Sequence, residues 1–221
     1  MIVYRIFAAF ASLVSLLYLI GWVVNQYLPS TIDSGLQIPA QEALCVNLAL
    51  IALFGLQHSL MARPFVKKWA GRSTYLLATA VVLAILFRFW EPMPAMVWSI
   101  ESAAAEVLLH GIAAAGLVLV VWAIAALDLL AFFGFRKPPG FRVTGPYRWV
   151  RHPVMLGLLL FLWAAPAASQ GRVFFALSMT VYIFIALRFE ERDLELELGV
   201  NYRRYREAVF GLLPLRRWPM Q

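Results

Sequence analysis

The sequence predicts an all-α integral membrane protein: a bundle of about five to six transmembrane helices, with a C-terminal helical hairpin and a cytoplasmic tail. Three observations carry this reading. The 221 residues are 62% hydrophobic and only 14% charged, with a mean hydropathy of +0.77, whereas soluble domains are about half apolar and about a quarter charged. The apolar residues fall into runs near the roughly 20 residues that a helix needs to cross a bilayer. All but two of the 19 Lys and Arg residues collect on alternate sides of those runs, so the net charge of +7 reads as membrane topology and not as a nucleic-acid surface.

The first apolar segment covers residues 4–28 and stops at Pro29. Asn25-Gln26-Tyr27-Leu28 is not a small-residue cleavage site, so this is a retained span and not a signal peptide. Residues 29–41 form a loop without Lys or Arg. A second segment runs over 42–62, followed by a basic loop with Arg63, Lys67, Lys68 and Arg72, in which Pro64 interrupts the helix. The third covers 73–90 and closes at Glu91-Pro92-Met93-Pro94. The fourth covers 102–127 and is rich in Ala and Gly, which lets helices approach closely. Residues 128–152 are a long basic connection. Segment five, 153–168, is barely long enough to span. Ser169-Gln170-Gly171 turns the chain into segment six, 172–189, and a charged tail follows. With six spans, both termini and the basic loops lie in the cytoplasm, and Arg88 and Arg172 are the two exceptions. Cys45, the single cysteine, sits in an apolar run and reads as a buried thiol.

Polar chemistry is concentrated in Thr144–Gly157. Gly145-Pro146 marks a turn, and Pro153 suits a first helical turn, where a missing N–H costs nothing. Arg148, Arg151 and His152 are then held beside a helix N-terminus, whose free N–H groups and dipole favour a carboxylate or phosphate. Glu190-Glu191 ends segment six, and one of the two can face a given ligand because helix neighbours point about 100° apart. Asp128 reads as the ion-pair partner of the adjacent basic loop. Arg63, Lys67, Lys68, Arg216 and Arg217 read as interfacial anchors. In segment two, Asn47, Ile51, Phe54 and His58 share a face, and His58 is either a helix-packing residue or a base in a substrate site. Tyr202 and Tyr205 share a face of the tail. With three His, no HExxH, no cysteine pair, no GxGxxG, no Walker loop and no GxSxG, no metal, soluble-type nucleotide site or serine nucleophile is indicated.

Gly145-Pro146-Tyr147-Arg148-x-x-Arg151-His152-Pro153-x-x-x-Gly157, an apolar helix, Glu190-Glu191-x-x-Leu194 and Gly199-x-x-Tyr202-x-x-Tyr205 together resemble the isoprenylcysteine carboxyl methyltransferase superfamily. Leu28–Gly35, Gln57–Pro64, Arg72–Tyr75 and Trp90-Glu91-Pro92 extend the likeness over most of the chain, toward its bacterial methanethiol S-methyltransferase branch, also described as NnrU-like. Met155 stands where that superfamily often has Tyr. The resemblance implies a single methyltransferase domain over 1–221, with transmembrane helices in 1–127 and the cofactor-binding loop, hairpin and tail in 128–221.

It also implies S-adenosylmethionine as cofactor, methanethiol as acceptor and dimethyl sulfide as product. Arg151-His152-Pro153, Gly157 and Glu190-Glu191 are then cofactor residues. The cations Arg148, Arg151 and His152 suit the cofactor carboxylate, and Glu190 or Glu191 suits its ammonium or a ribose hydroxyl. Tyr147, Trp149, Tyr202 and Tyr205 suit the adenine or the sulfonium. His58, Arg151 and Glu191 are the candidates for assisting deprotonation of the thiol. A small apolar thiol, membrane lipids and a bacterial inner membrane follow from the same resemblance. Carboxyl methylation of a prenylcysteine, N-methylation of a phospholipid head group and a non-catalytic accessory role are the alternatives.

Overall fold

The structure, a computed structural model, describes residues 2–137 and 139–219, without the side chains of residues 64, 65, 67 and 68. The interfacial role expected of Lys67 and Lys68 therefore lies outside the described side chains. The elements in order are α1 (Ile2–Val24), α2 (Ala40–Ala62), α3 (Pro64–Phe89), β1 (Met96–Ser99), α4 (Ala103–Leu127) and α5 (Leu129–Phe132). A 3-10 turn (Gly145–Arg148) follows, and then α6 (Pro153–Trp163), β2 (Ala167–Ser169), α7 (Gln170–Leu198) and α8 (Val200–Ala208).

The protein is an all-α integral membrane protein. Among the described residues, five helices are long and apolar enough to cross a bilayer: α1, α2, the Trp69–Phe89 part of α3, α4 and α7. Large apolar side chains such as Phe7, Phe10, Leu48, Val107 and Val118 point outward from them, as lipid-facing helices require. Cys45 is exposed and not buried, because an outward helix face in lipid needs no protein cover.

Three boundaries differ from expectation. The basic stretch after Arg63 is helical: Pro64 takes the first turn and starts α3, and the break falls at Gly71, which has φ 71° and ψ 166°. Segment five is helical over only 11 residues, about half a bilayer crossing. It then becomes extended, because Pro166 cannot continue a helix. Residues 167–169, expected to end segment five and begin the turn, form β2, which pairs antiparallel with β1 (Met96↔Ser169, Trp98↔Ala168, Ser99↔Ala167), and α7 starts directly at Gln170.

The chain divides into two compact units. The first comprises Met1–Ile100, Phe133–Phe135 and Ala167–Met179. Trp22 centres it, with ring centroids 5.2 Å from Trp90 and 5.5 Å from Phe175. Asn47 is fully buried and bonds the Glu91 backbone twice, donating to its carbonyl at 2.8 Å and accepting from its N–H at 2.9 Å. His58, one helix face further along, is hydrogen-bonded to Tyr75 Oη (Nε2 at 2.6 Å) and stacks on Phe54.

The second unit comprises Glu101–Phe132, Arg136–Pro166 and Thr180–Gln221. Here α4 and α6 pack through glycine. A Cβ on Gly116 would lie 2.5 Å from the Gly157 carbonyl oxygen, so the two backbones are in direct contact. Asp128 behaves as expected. Its carboxylate pairs with Arg136 at 2.6 Å and accepts the Ala131 N–H at 3.0 Å, capping α5. The hydrogen bond from Arg136 holds the Asp128 carboxyl below the usual carboxylate range.

Candidate functional site

Local geometry in the second unit builds the site. Gly145 has φ +52°, and a Cβ there would meet Ala126 Cβ at 2.8 Å, so glycine is required at this turn. After the 3-10 turn, Arg151 and His152 are extended. Their N–H groups donate to the carbonyls of Phe210 (2.9 Å) and Gly211 (3.0 Å), which fastens the tail beside the entrance to α6. His152 is the N-cap of α6 but makes no side-chain cap bond, and its ring turns to α7 instead.

There Glu191 Oε1 accepts hydrogen bonds from Arg151 Nε (2.8 Å) and His152 Nε2 (2.8 Å) and is ion-paired with Arg151 Nη2 at 2.7 Å. Arg151 Nη1 donates to the carbonyls of Arg206 (3.1 Å) and Val209 at the end of α8, which have no helical partner of their own. One guanidinium thus ties α6, α7 and α8 together. The anion expected at this helix N-terminus is the protein's own Glu191, and Arg151 is largely spent on it. Glu190 remains half exposed, with Oε2 3.9 Å from His152 Nδ1.

The tyrosines differ from expectation. Tyr202, Tyr205 and Val209 form a buried core, covered by Val143, Leu194, Leu198, Ala208 and Trp218. Tyr205 Oη donates to the Tyr147 carbonyl at 2.6 Å. Burial pushes up the phenols of Tyr147, Tyr202 and Tyr205, so all three are neutral. The Tyr202 and Tyr205 rings are packed in the core that holds the tail down. The Tyr202 hydroxyl is buried beside Glu191 and Arg151. Three further residues are also reassigned. Pro153 is fully buried at the start of α6. Gly157 meets α4 and not a ligand. Arg148 does not join Arg151 and His152; it lines a separate cavity of about 250 Å³ with Phe141, Arg142 and Trp218.

A larger cavity, about 690 Å³, opens at the cluster, within the roughly 300–1,000 Å³ typical of small-molecule sites. Its charged end is Arg151, His152, Glu191 and Arg188, and its apolar wall comes from Phe184 and Leu187 of α7 and from Phe210, Leu212 and Leu213 of the tail.

The chain is 40% identical to methanethiol S-methyltransferase 2 of Bradyrhizobium diazoefficiens, over 96% of this chain and 89% of that protein. The chain belongs to the methanethiol S-methyltransferase family. A second member, from Mycobacterium tuberculosis, is 38% identical over 99% of this chain and 96% of its own length. Nurim of Xenopus laevis is 31% identical over 69% of this chain and 63% of its own length. No family model and no solved structure matches the chain.

In this methanethiol S-methyltransferase family member, the cluster brings together Arg151, His152 and Glu191 of the residues singled out by sequence, with Glu190 at its edge. His58 belongs to the other unit and is engaged there by Tyr75 and Phe54. The apolar wall was missed. Part of it was readable, because Phe184, Leu187, Arg188 and Glu191 follow the i, i+3, i+4, i+7 pattern of one helix face. The tail residues Phe210–Leu213 carry no periodicity and had no such signal.

Proposed function

We propose that this methyltransferase uses S-adenosylmethionine to methylate methanethiol, giving dimethyl sulfide, at the cytoplasmic face of a bacterial inner membrane with both termini in the cytoplasm. The observation that carries the reading is the Arg151–His152–Glu191 cluster at one end of an apolar-walled cavity, in a chain that belongs to the methanethiol S-methyltransferase family. The cavity residues fit the cofactor. The Glu191 carboxylate lines the cavity beside Arg151 and His152, and the half-exposed Glu190 carboxylate stands 3.9 Å from His152; these carboxylates would suit the cofactor's ammonium and ribose hydroxyls. When bound, the cofactor supplies an electrophilic methyl group on a sulfonium.

Glu191 and Glu190 add negative charge beside that cation, and Arg151 and His152 fix the Glu191 carboxylate in place. Phe184, Leu187, Leu212 and Leu213 provide an apolar wall suited to a thiol arriving from lipid. Methyl transfer is an in-line displacement, for which alignment alone is worth roughly 7–11 kcal/mol of barrier. Rigid fastening of α6, α7 and α8 by Arg151 serves that alignment.

Purified protein in detergent, given S-adenosylmethionine and methanethiol, is expected to release dimethyl sulfide into the headspace, measured by gas chromatography, well above a Glu190→Gln control. Cofactor binding without product would redirect the acceptor assignment to prenylcysteines or phospholipids, and absence of cofactor binding would sink the enzymatic reading. His58→Ala is expected to lower thermal stability and to leave cofactor affinity unchanged by calorimetry. A loss of turnover with stability unchanged would instead make His58 the base in the substrate site.

A further inference from the structure

We propose that Arg188 is a catalytic residue that binds the acceptor as its thiolate. The inference rests on the methyl-transfer reading above and adds a role to a residue that neither the motifs nor the Arg151 cluster uses.

Four charged or titratable side chains line the large cavity. Three are committed to one another: Arg151 and His152 donate to Glu191. Arg188 is the exception. It lies one turn before Glu191 on α7, and among the described residues it makes no ion pair or hydrogen bond. Its side chain is exposed at the end of the apolar run of α7 and lines the cavity, so the guanidinium is open to an anionic ligand there.

Position along the helix selects the anion. Phe184, Leu187, Arg188 and Glu191 follow one another along one face of α7. The cavity therefore runs from an apolar wall, past a free guanidinium, to a carboxylate cluster. A sulfonium is drawn to the carboxylate end, and an apolar thiol to the wall. Arg188 stands between them, where the acceptor sulfur would lie. The thiol is a poor nucleophile and the thiolate a good one. A cation within about 4–6 Å favours the charged form.

The step balances. The S–H proton leaves to water at the cavity mouth. A lone pair of the thiolate sulfur forms the new S–CH₃ bond, and the bond from that methyl to the donor sulfonium breaks, its pair remaining on the donor sulfur. The thiolate and sulfonium charges cancel, and Arg188 stays protonated throughout.

The test uses full-length Arg188→Leu and Arg188→Lys in detergent with three readouts: S-adenosylmethionine affinity, proton release on binding methanethiol without a methyl donor (from calorimetric heats in buffers of different ionisation enthalpy), and the pH profile of kcat/KM. Wild type is expected to release a proton on binding the thiol. Arg188→Leu should keep its cofactor affinity, release no proton, and lose about 100-fold in kcat/KM near neutrality. Its activity should recover as the pH rises, because solution then supplies the thiolate. Arg188→Lys should restore most of the loss, since it keeps the charge. Unchanged proton release and kcat/KM in Arg188→Leu, or a thiol that binds wild type without releasing a proton, would overturn the proposal. So would a loss of cofactor affinity, which would assign Arg188 to the cofactor carboxylate. If wild type makes no dimethyl sulfide, the transfer reading fails, and the proton-release comparison still decides whether Arg188 holds a thiolate.

Discussion

Glu191→Gln is expected to destabilise the C-terminal tail by about 3–5 kcal/mol and to reduce dimethyl sulfide formation to background. The carboxylate accepts two hydrogen bonds and a further ion-pair contact from two side chains, and both it and Arg151 are largely shielded, at 20% and 12% side-chain exposure. A neutral amide of the same shape leaves the guanidinium without its counter-ion. Its carbonyl oxygen can still take the Oε1 position, but as an uncharged and weaker acceptor for Arg151 and His152. Because Arg151 also holds the carbonyls of Arg206 and Val209, the loss propagates from α7 to α8 and the tail that walls the cavity. Thermal unfolding in detergent and limited proteolysis of residues 199–213 read this directly. Glu190→Gln is the internal comparison: its carboxylate is 48% exposed and makes only a 3.9 Å contact, so its stability should stay near wild type. Equal melting of the two variants would mean that the cluster is not a clamp.

Gly157→Leu is the second large effect, and it acts through packing. A Cβ on Gly157 would run into the Gly116 carbonyl and lie 2.8 Å from Val120 Cγ2 and 3.2 Å from Val120 N. Overpacking costs about 1–3 kcal/mol when side chains can move aside. Here the obstacle is largely backbone, so α6 must shift away from α4. Since His152 caps α6, that shift also displaces the ring that holds Glu191, and cofactor affinity should fall along with stability. Gly111→Ala in α4 is the control: nothing lies within 4 Å of its Cβ position, and removing a helical glycine gains roughly 0.5–1 kcal/mol. If Gly157→Leu unfolded at the temperature of the Gly111→Ala protein, the glycine contact would not matter.

What the sequence by itself determined is whatever depends on near neighbours along the chain. Hydropathy over about 20 residues locates a span wherever it occurs, so α1, α2 and α4 were legible to within a few residues, as was the start of α7, whose helix continues past the apolar run to Leu198. Asn47 and His58 were placed on one helix face because that face follows from the helical period alone. The Arg-His-Pro and Glu-Glu pairs were visible as motifs, and they do meet.

Tertiary structure decided the rest. Motifs do not say that Glu191, and not Glu190, takes both Arg151 and His152; the rotation of α7 against α6 sets that. Nor do they say that Tyr202 and Tyr205 are core, since an aromatic ring in a tail can stack on a ligand or on its neighbours until the packing is known. Gly157 looked like part of a binding motif and proved to be the place where α6 touches α4, a contact some forty residues away in sequence. Arg188 was legible only as a position on one face of α7 and a possible partner for the second glutamate. Its meaning comes from what it lacks, a partner, and that can be read only when every nearby acceptor has been assigned in space. Helical period and hydropathy act between residues a few positions apart, whereas the pairing of charges depends on distances that the fold alone creates.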